Sequence, residues 1–237
     1  IMSSDWSSDV CSSDLISIKG TWFERGTRQT GVPVLNLALP FAFDEPQARY
    51  EIPFGAIDRN LQHGEEVPAL RWAQVAAGAG KKQLGCVVYN DSKHGHSLVG
   101  STLRVTLIRS SYDPDHLPEI GDHEINFALQ PFFGEMPVAD AIRTAMAFEQ
   151  ELRIVSTNAH AGDLPPAAAL IKAQPAGVVC SMLKKAEDED ALILRFYDPT
   201  GRKTTAKATL DAGFFGKITK VVEVDLLEEP VATSTAK

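Results

Sequence analysis

The chain has 237 residues, 44% of them hydrophobic and 23% charged, a composition within the ordinary range of globular proteins and sufficient for one or two buried cores. A formal net charge of -8 argues against a nucleic-acid partner, because neutralising phosphates takes clustered Lys and Arg. An uncharged ligand such as a sugar suits this surface better. No apolar run approaches the roughly 18 residues that span a bilayer, so no membrane partner is expected.

The chain begins Ile-Met-Ser-Ser-Asp-Trp-Ser-Ser-Asp-Val-Cys-Ser-Ser-Asp-Leu, with Ser-Ser-Asp three times and no apolar period that would seat it on a core. Residues 1–15 are therefore set aside as an artefactual or disordered leader: Cys11-Ser12-Ser13-Asp14-Leu15 resembles a translated sequencing adapter, and an ordinary Ser-rich terminus is the alternative. The start also lacks the basic region and apolar stretch of a secretory signal. Cys11, Cys86 and Cys180 have no metal-binding spacing, and the last two sit in apolar runs as small hydrophobes, which points to a reducing, cytoplasmic location.

From Gly20 onward the pattern is that of strands. Leu84 to Tyr89 is nearly continuous in apolar residues, as a strand buried on both faces would be. Leu103, Val105 and Leu107 alternate with Arg104 and Thr106, and Ile125, Phe127 and Leu129 with Asn126 and Gln130. Pro137 to Leu152 breaks the series: Val138, Ile142, Ala145, Met146 and Leu152 fall at helical spacing, which predicts one helix near 137–152. Residues 158–177, rich in Ala, Pro and Gly, read as a connection. Beyond them Leu192, Leu194 and Phe196, and then Val222, Val224 and Leu226, alternate as further strands. The expected organisation is mainly β: a large antiparallel β-sandwich portion over 16–157, a smaller β-sandwich domain over 178–230, and a disordered tail at 231–237.

The segment from Gly85 through Asn90-Asp91-Ser92-Lys93-His94-Gly95, followed by Leu103 to Ser110, resembles the glycoside hydrolase family 38 α-mannosidases. Their pattern is a buried strand, then Asn-Asp-Ser-Lys-Tyr-Gly, then a strand ending in Leu-Arg-Ser; His94 stands where Tyr is usual. The resemblance continues at Val67 to Trp72, at Asp113-Pro114-Asp115 and Gly121-Asp122-His123, and at Ser181 to Asp188, in the same order and spacing. It implies a galactose mutarotase-like super-sandwich followed by a smaller β domain, and a retaining mannosidase whose Asp nucleophile and zinc ligands lie in an amino-terminal catalytic domain. Neither nucleophile motif nor zinc ligands are found in this chain, so no catalytic residue, metal ligand or cofactor is assigned to it. The partners implied are the missing amino-terminal catalytic domain and a mannosyl glycan, with a homo-oligomer also open.

By the same resemblance, the loop of Asn90, Asp91, Lys93 and His94 reaches the rim of a mannose site, where Asp91 accepts hydrogen bonds from sugar hydroxyls and Lys93 donates them or pairs with a carboxylate. Read from the residues alone, the loop fits a hairpin that only closes a turn equally well, since Asn, Asp and Gly are common there for conformational reasons. His94 and His96 lie two apart, as two ligands on one strand face would, yet two fall short of a structural metal site. Asp113, Asp115, His116, Asp122 and His123 read as turn chemistry, and the acidic run Glu187 to Asp190 as a solvated hairpin turn. Trp22, Trp72 and Phe132 are expected to fill cores rather than stack on sugars. The function expected is support of a mannosidase active site; the alternative is a free-standing carbohydrate-binding or structural β-sandwich module.

Overall fold

Alternation along a strand sends successive side chains to opposite faces, so each alternating run carries one apolar face that must find a partner layer. The computed structural model describes residues 14–59, 64–115, 118–150, 152–163, 165 and 167–231, in two compact units that divide between Leu152 and Arg153. The protein is mainly β and its sheets are antiparallel.

The described residues of the first unit form the strands β1 (Asp14–Trp22), β2 (Val34–Pro40), β3 (Gln47–Ile52), β4 (Gly55–Asp58), β5 (Val67–Pro68), β6 (Trp72–Ala77), β7 (Leu84–Asn90), β8 (Gly95–Val99), β9 (Thr102–Arg109) and β10 (Gly121–Phe133). They form a six-stranded sheet in the order β1-β10-β7-β6-β3-β4 and a four-stranded sheet in the order β2-β9-β8-β5. Tyr50, Val75, Val88 and Phe127 of the larger sheet share one apolar core with Leu37, Leu103, Val105 and Leu107 of the smaller. Each such burial stabilises by about 1.5 to 3 kcal/mol relative to exposure.

The other face of the large sheet carries Trp72 and Gln74 of β6 and Val87 and Tyr89 of β7, all buried, because the helix α1 (Val138–Glu149) lies over these two strands with Ala139, Ala141, Ile142 and Ala145 inward. Leu84 to Tyr89 is continuously apolar for this reason: both of its faces are covered. Pro137 caps the helix from an extended conformation, and the backbone N–H of Gln150 closes its far end. The predicted extension to Leu152 is not made: Leu152 lies outside the helix and is 90% exposed.

Gly85 and Phe132 face each other across β7 and β10, and the Phe132 ring lies so close that a Cβ at position 85 would meet it at 2.3 Å. Strand β1 pairs with β10 from its first residue, Asp14 against Leu129 and Leu15 against Ala128. The leader boundary expected after residue 15 thus falls two residues inside a strand; residues 1–13 lie outside the described residues.

In the second unit β11 (Ile171–Gln174) pairs with β14 (Lys207–Leu210), and β12 (Val179–Lys185) with β13 (Leu192–Tyr197). Strand β11 lies inside the stretch read as a connection, where Ile171 and Ala173 alternate with Lys172 and Gln174. A single helical turn, α2 (Ala212–Phe215), starts on Asp211, whose side chain accepts from the N–H of Phe214. The expected strand through Val222, Val224 and Leu226 is reduced to one bridge between Val224 and Pro230. Asp225 turns the chain back, its carboxylate accepting from the N–H groups of Leu227 and Glu229. The return ties Val231 to Glu223 by a backbone hydrogen bond, inside what was read as the tail; residues 232–237 lie outside the described residues.

His96 of β8 is fully buried in the first unit, and neither ring nitrogen is hydrogen-bonded. Burial lowers its pKa to about 4, and the backbone of His94 opposes the shift without cancelling it. An unfolded histidine titrates near 6.5, so below that pH the unfolded chain takes up a proton that the native core refuses. His96 therefore leaves stability unchanged above about pH 6.5 and lowers it progressively as pH falls to about 4, by about 3 kcal/mol in all. Urea unfolding of wild type and His96→Leu between pH 7 and 4 checks this: the variant should lose less stability, and parallel curves would refute it.

Candidate functional site

The loop from Asn90 to His94 leaves the end of central strand β7, and its geometry begins with Asn90, which is 1% exposed. Its N–H donates to the carbonyl of Arg71 at 2.8 Å, its Nδ2 to the carbonyl of Leu70 at 3.2 Å, and its Oδ1 accepts from the N–H of Lys93 at 2.7 Å. Asn90 is thus a buried turn former with its polar groups occupied by the backbone.

Asp91 binds sideways to β10: its Oδ2 accepts from the N–H of Asn126 at 3.1 Å and from Asn126 Nδ2 at 2.9 Å, while Oδ1 accepts from the Ser92 hydroxyl at 2.9 Å. Lys93 is half-buried, and its ammonium meets no acceptor among the described residues. His94 is exposed; its Nδ1 lies 2.9 Å from the carbonyl oxygen of Leu70 and 3.2 Å from that of Ala69. The four residues read from the sequence therefore split into two that hold the loop, Asn90 and Asp91, and two that present free chemistry, Lys93 and His94.

What holds the loop from beneath was not visible in the sequence. Glu51 at the end of β3 is 2% exposed, on the sheet face that α1 covers. Its carboxylate accepts from the backbone N–H of Arg71 at 2.8 Å and from Arg71 Nε at 3.1 Å, with the Arg71 guanidinium in closer contact still. Arg71 also lies 3.8 Å from Glu149, in the last turn of α1. Burial pushes the Glu149 carboxyl above the usual carboxylate range; Arg71 opposes the push, and Glu51 adds to it. Arg71 lay inside the motif of residues 67–72, but alternation alone puts Glu51 on the solvent side of β3, and only in the folded chain does Arg71 close over its carboxylate.

Other candidates do not assemble a site. His96 is in the core while His94 is exposed, so the two do not present one metal-binding face. Among the described residues no three His, Cys, Asp or Glu side chains converge as metal ligands would. His123 donates from Nε2 to the carbonyl oxygen of Glu119, 2.6 Å away, within a turn, and His116 lies outside the described residues. The acids Glu187 to Asp190 are exposed between β12 and β13, with Lys184 bound to Glu187 and, at 2.8 Å, to Glu228. Trp72 is fully buried, Trp22 donates to the Ser110 hydroxyl at 2.7 Å, and Phe132 covers Gly85. A shallow depression over β1 and β10 is lined by Lys19, Asp122 and Glu124, whose charges meet Glu124, Thr21 and Lys19 rather than a ligand.

Set beside known proteins, the two β units in series match two domain models of one family. Residues 26–117 match the glycosyl hydrolases family 38 C-terminal domain, and residues 177–237 match the glycosyl hydrolases family 38 C-terminal beta sandwich domain. The chain belongs to glycosyl hydrolase family 38. It is 29% identical over 209 residues to alpha-mannosidase 2C1 of Homo sapiens, covering 83% of this chain and 19% of that protein. It is 26% identical over 170 residues to alpha-mannosidase G of Dictyostelium discoideum, covering 68% of this chain and 15% of that protein. The chain thus spans less than a fifth of the length of these relatives. Its fold matches the crystal structure of an alpha-mannosidase from Enterococcus faecalis with a TM-score of 0.71 over 92% of this chain and 25% of that one, at 13% identity. No helix among the described residues is long and apolar enough to cross a membrane.

The Glu51–Arg71 pair generates a stability contrast. Glu51→Ala leaves Arg71 without its buried partner and should cost about 3 to 5 kcal/mol in chemical denaturation. Glu124→Ala, which breaks the exposed pair with Lys19, should cost under about 1 kcal/mol. Equal losses would show that the buried pair is not what fixes this end of the sheet.

Proposed function

We propose that the chain is the carboxy-terminal portion of a retaining α-mannosidase acting on terminal α-mannosides of glycans or oligosaccharides, and that it supports and rims the active site of a catalytic domain upstream. The observation that carries this reading is the succession of two C-terminal domain models of one glycosidase family along a single chain. Relatives named as alpha-mannosidases favour the same activity.

Retaining hydrolysis takes two carboxyl groups about 5 Å apart, one attacking the anomeric carbon and one protonating the leaving oxygen. Glu51 is unsuited to either role, because its carboxylate is already bound by Arg71. The zinc ion implied by the family finds no ligand set among the described residues, so its ligands are assigned to the catalytic domain and no step here runs through it. This chain's part is to hold Lys93 and its loop against the sugar. Free Cys86 and Cys180 agree with a reducing cytoplasmic compartment.

Two experiments test the proposal. The purified chain, with zinc added, should not cleave an aryl α-mannoside; turnover above a buffer blank, abolished by changing one of its carboxylates, would place catalysis here. In the complete enzyme Lys93→Ala should lower kcat/KM about tenfold or more with Tm unchanged, since a charged hydrogen bond is worth about 1.5 to 3 kcal/mol. Asp91→Ala should lower both activity and Tm, because Asn126 loses its acceptor. Wild-type kinetics in Lys93→Ala would make the loop structural.

A further inference from the structure

A neutral imidazole has one donor nitrogen and one acceptor nitrogen, and the group facing either of them decides which is which. His94 Nδ1 faces two carbonyl oxygens, those of Leu70 at 2.9 Å and Ala69 at 3.2 Å, and a carbonyl only accepts. Nδ1 must therefore carry the proton, which leaves the lone pair on Nε2. That nitrogen meets no group among the described residues, on a side chain that is exposed.

The two carbonyls are themselves held in place. The Leu70 N–H donates to the carbonyl of Glu51 at 3.1 Å, the Leu70 carbonyl also accepts from Asn90 Nδ2, and the Ala69 N–H donates to the carbonyl of His94 at 2.9 Å. Arg71, next in sequence, is tied to the buried Glu51 carboxylate through both its backbone and its side chain. The tautomer of His94 is thus set by a strut that runs from the end of β3 through residues 69–71 to the loop. Beside it stands Lys93, whose ammonium is a donor only. The loop therefore offers one donor and one acceptor in succession, a pair matched to a polyol, whose hydroxyls both give and take hydrogen bonds.

We infer that His94 is a specificity-determining acceptor: fixed as its Nδ1–H tautomer by the carbonyls of Ala69 and Leu70, it presents Nε2 to a hydroxyl group of a sugar ligand. The inference rests on the rim reading proposed above and adds to it the direction of one hydrogen bond. A ligand group without a proton to give, such as a methyl ether or a deoxy position, forfeits that bond.

The first measurement uses the chain as it stands. Long-range proton–nitrogen correlation spectra of the nitrogen-15-labelled protein, at a pH where the imidazole is neutral, should show a protonated Nδ1 and an unprotonated Nε2 for His94. A dominant Nε2–H form, or an even mixture of the two, overturns the inference. In the complete enzyme His94→Phe, which keeps a ring without the acceptor, should lower kcat/KM about tenfold through KM, and His94→Gln, which restores an acceptor oxygen, should stay within about threefold of wild type. Among aryl α-mannosides lacking one hydroxyl at a time, one should lose as much with wild type and lose nothing further with His94→Phe. If Lys93→Ala falls and His94→Phe does not, the acceptor role alone fails; if neither falls, the rim reading fails with it.

Discussion

The buried carboxylate of Glu51 is the constraint on which this end of the molecule depends. A charge with 2% exposure has to be met by donors, because leaving it unpaired in a low-dielectric interior costs several kcal/mol. Arg71 meets it twice, with its guanidinium and with its own backbone N–H, which fixes the path of residues 69–71 as well as one side chain. That path supplies the carbonyls on which Asn90 and His94 rest. The position of the loop follows from this electrostatic requirement together with the turn chemistry of Asn90 and Asp91.

An apolar pair of similar volume at positions 51 and 71 would serve stability as well or better, since buried ion pairs seldom exceed well-packed hydrophobes. It would not serve geometry. A guanidinium gripping a carboxylate through two nitrogens has one orientation, and packing alone tolerates several. Keeping a charged pair under α1 is consistent with a need to place the loop to within a fraction of an ångström, as a surface that touches a ligand must be placed. His96 shows the opposite case, a polar ring in the sandwich core with neither nitrogen bonded, set edge-on to the Tyr50 ring at 6.2 Å.

The loop is divided in its labour. Asn90 and Asp91 spend their polar atoms on the backbone of residues 70–71 and on Asn126 of β10. Lys93 and His94 are left with chemistry to offer. A motif of four polar residues thus divides between members that close a turn and members whose side chains face outward.

Much of the architecture could be read from the residues, because the period of two in Thr102–Arg109 and Gly121–Phe133 and the period near 3.6 after Pro137 are local properties of the chain. Their apolar faces need only some partner layer. The buried run of Leu84–Asn90 was equally legible, since continuous apolarity demands cover on both faces. Where the reading failed, a distant residue or a single side chain had decided the outcome. Asp225 bends the chain where alternation promised a strand, β11 exists because β14 lies beside it, and the helix stops at Glu149 although Leu152 keeps its period. The burial of Glu51 is the clearest instance: its place in β3 marks it as solvent-facing, and Arg71, twenty residues further along, closes over its carboxylate. The sequence by itself determined the strands at Leu84–Asn90, Thr102–Arg109 and Gly121–Phe133 and which loop carries polar chemistry, for these follow from the order of neighbouring side chains. The tertiary structure alone decided which loop residues are spent internally, which remain free, and which nitrogen of His94 holds the proton, because each depends on groups that only folding brings within hydrogen-bond distance.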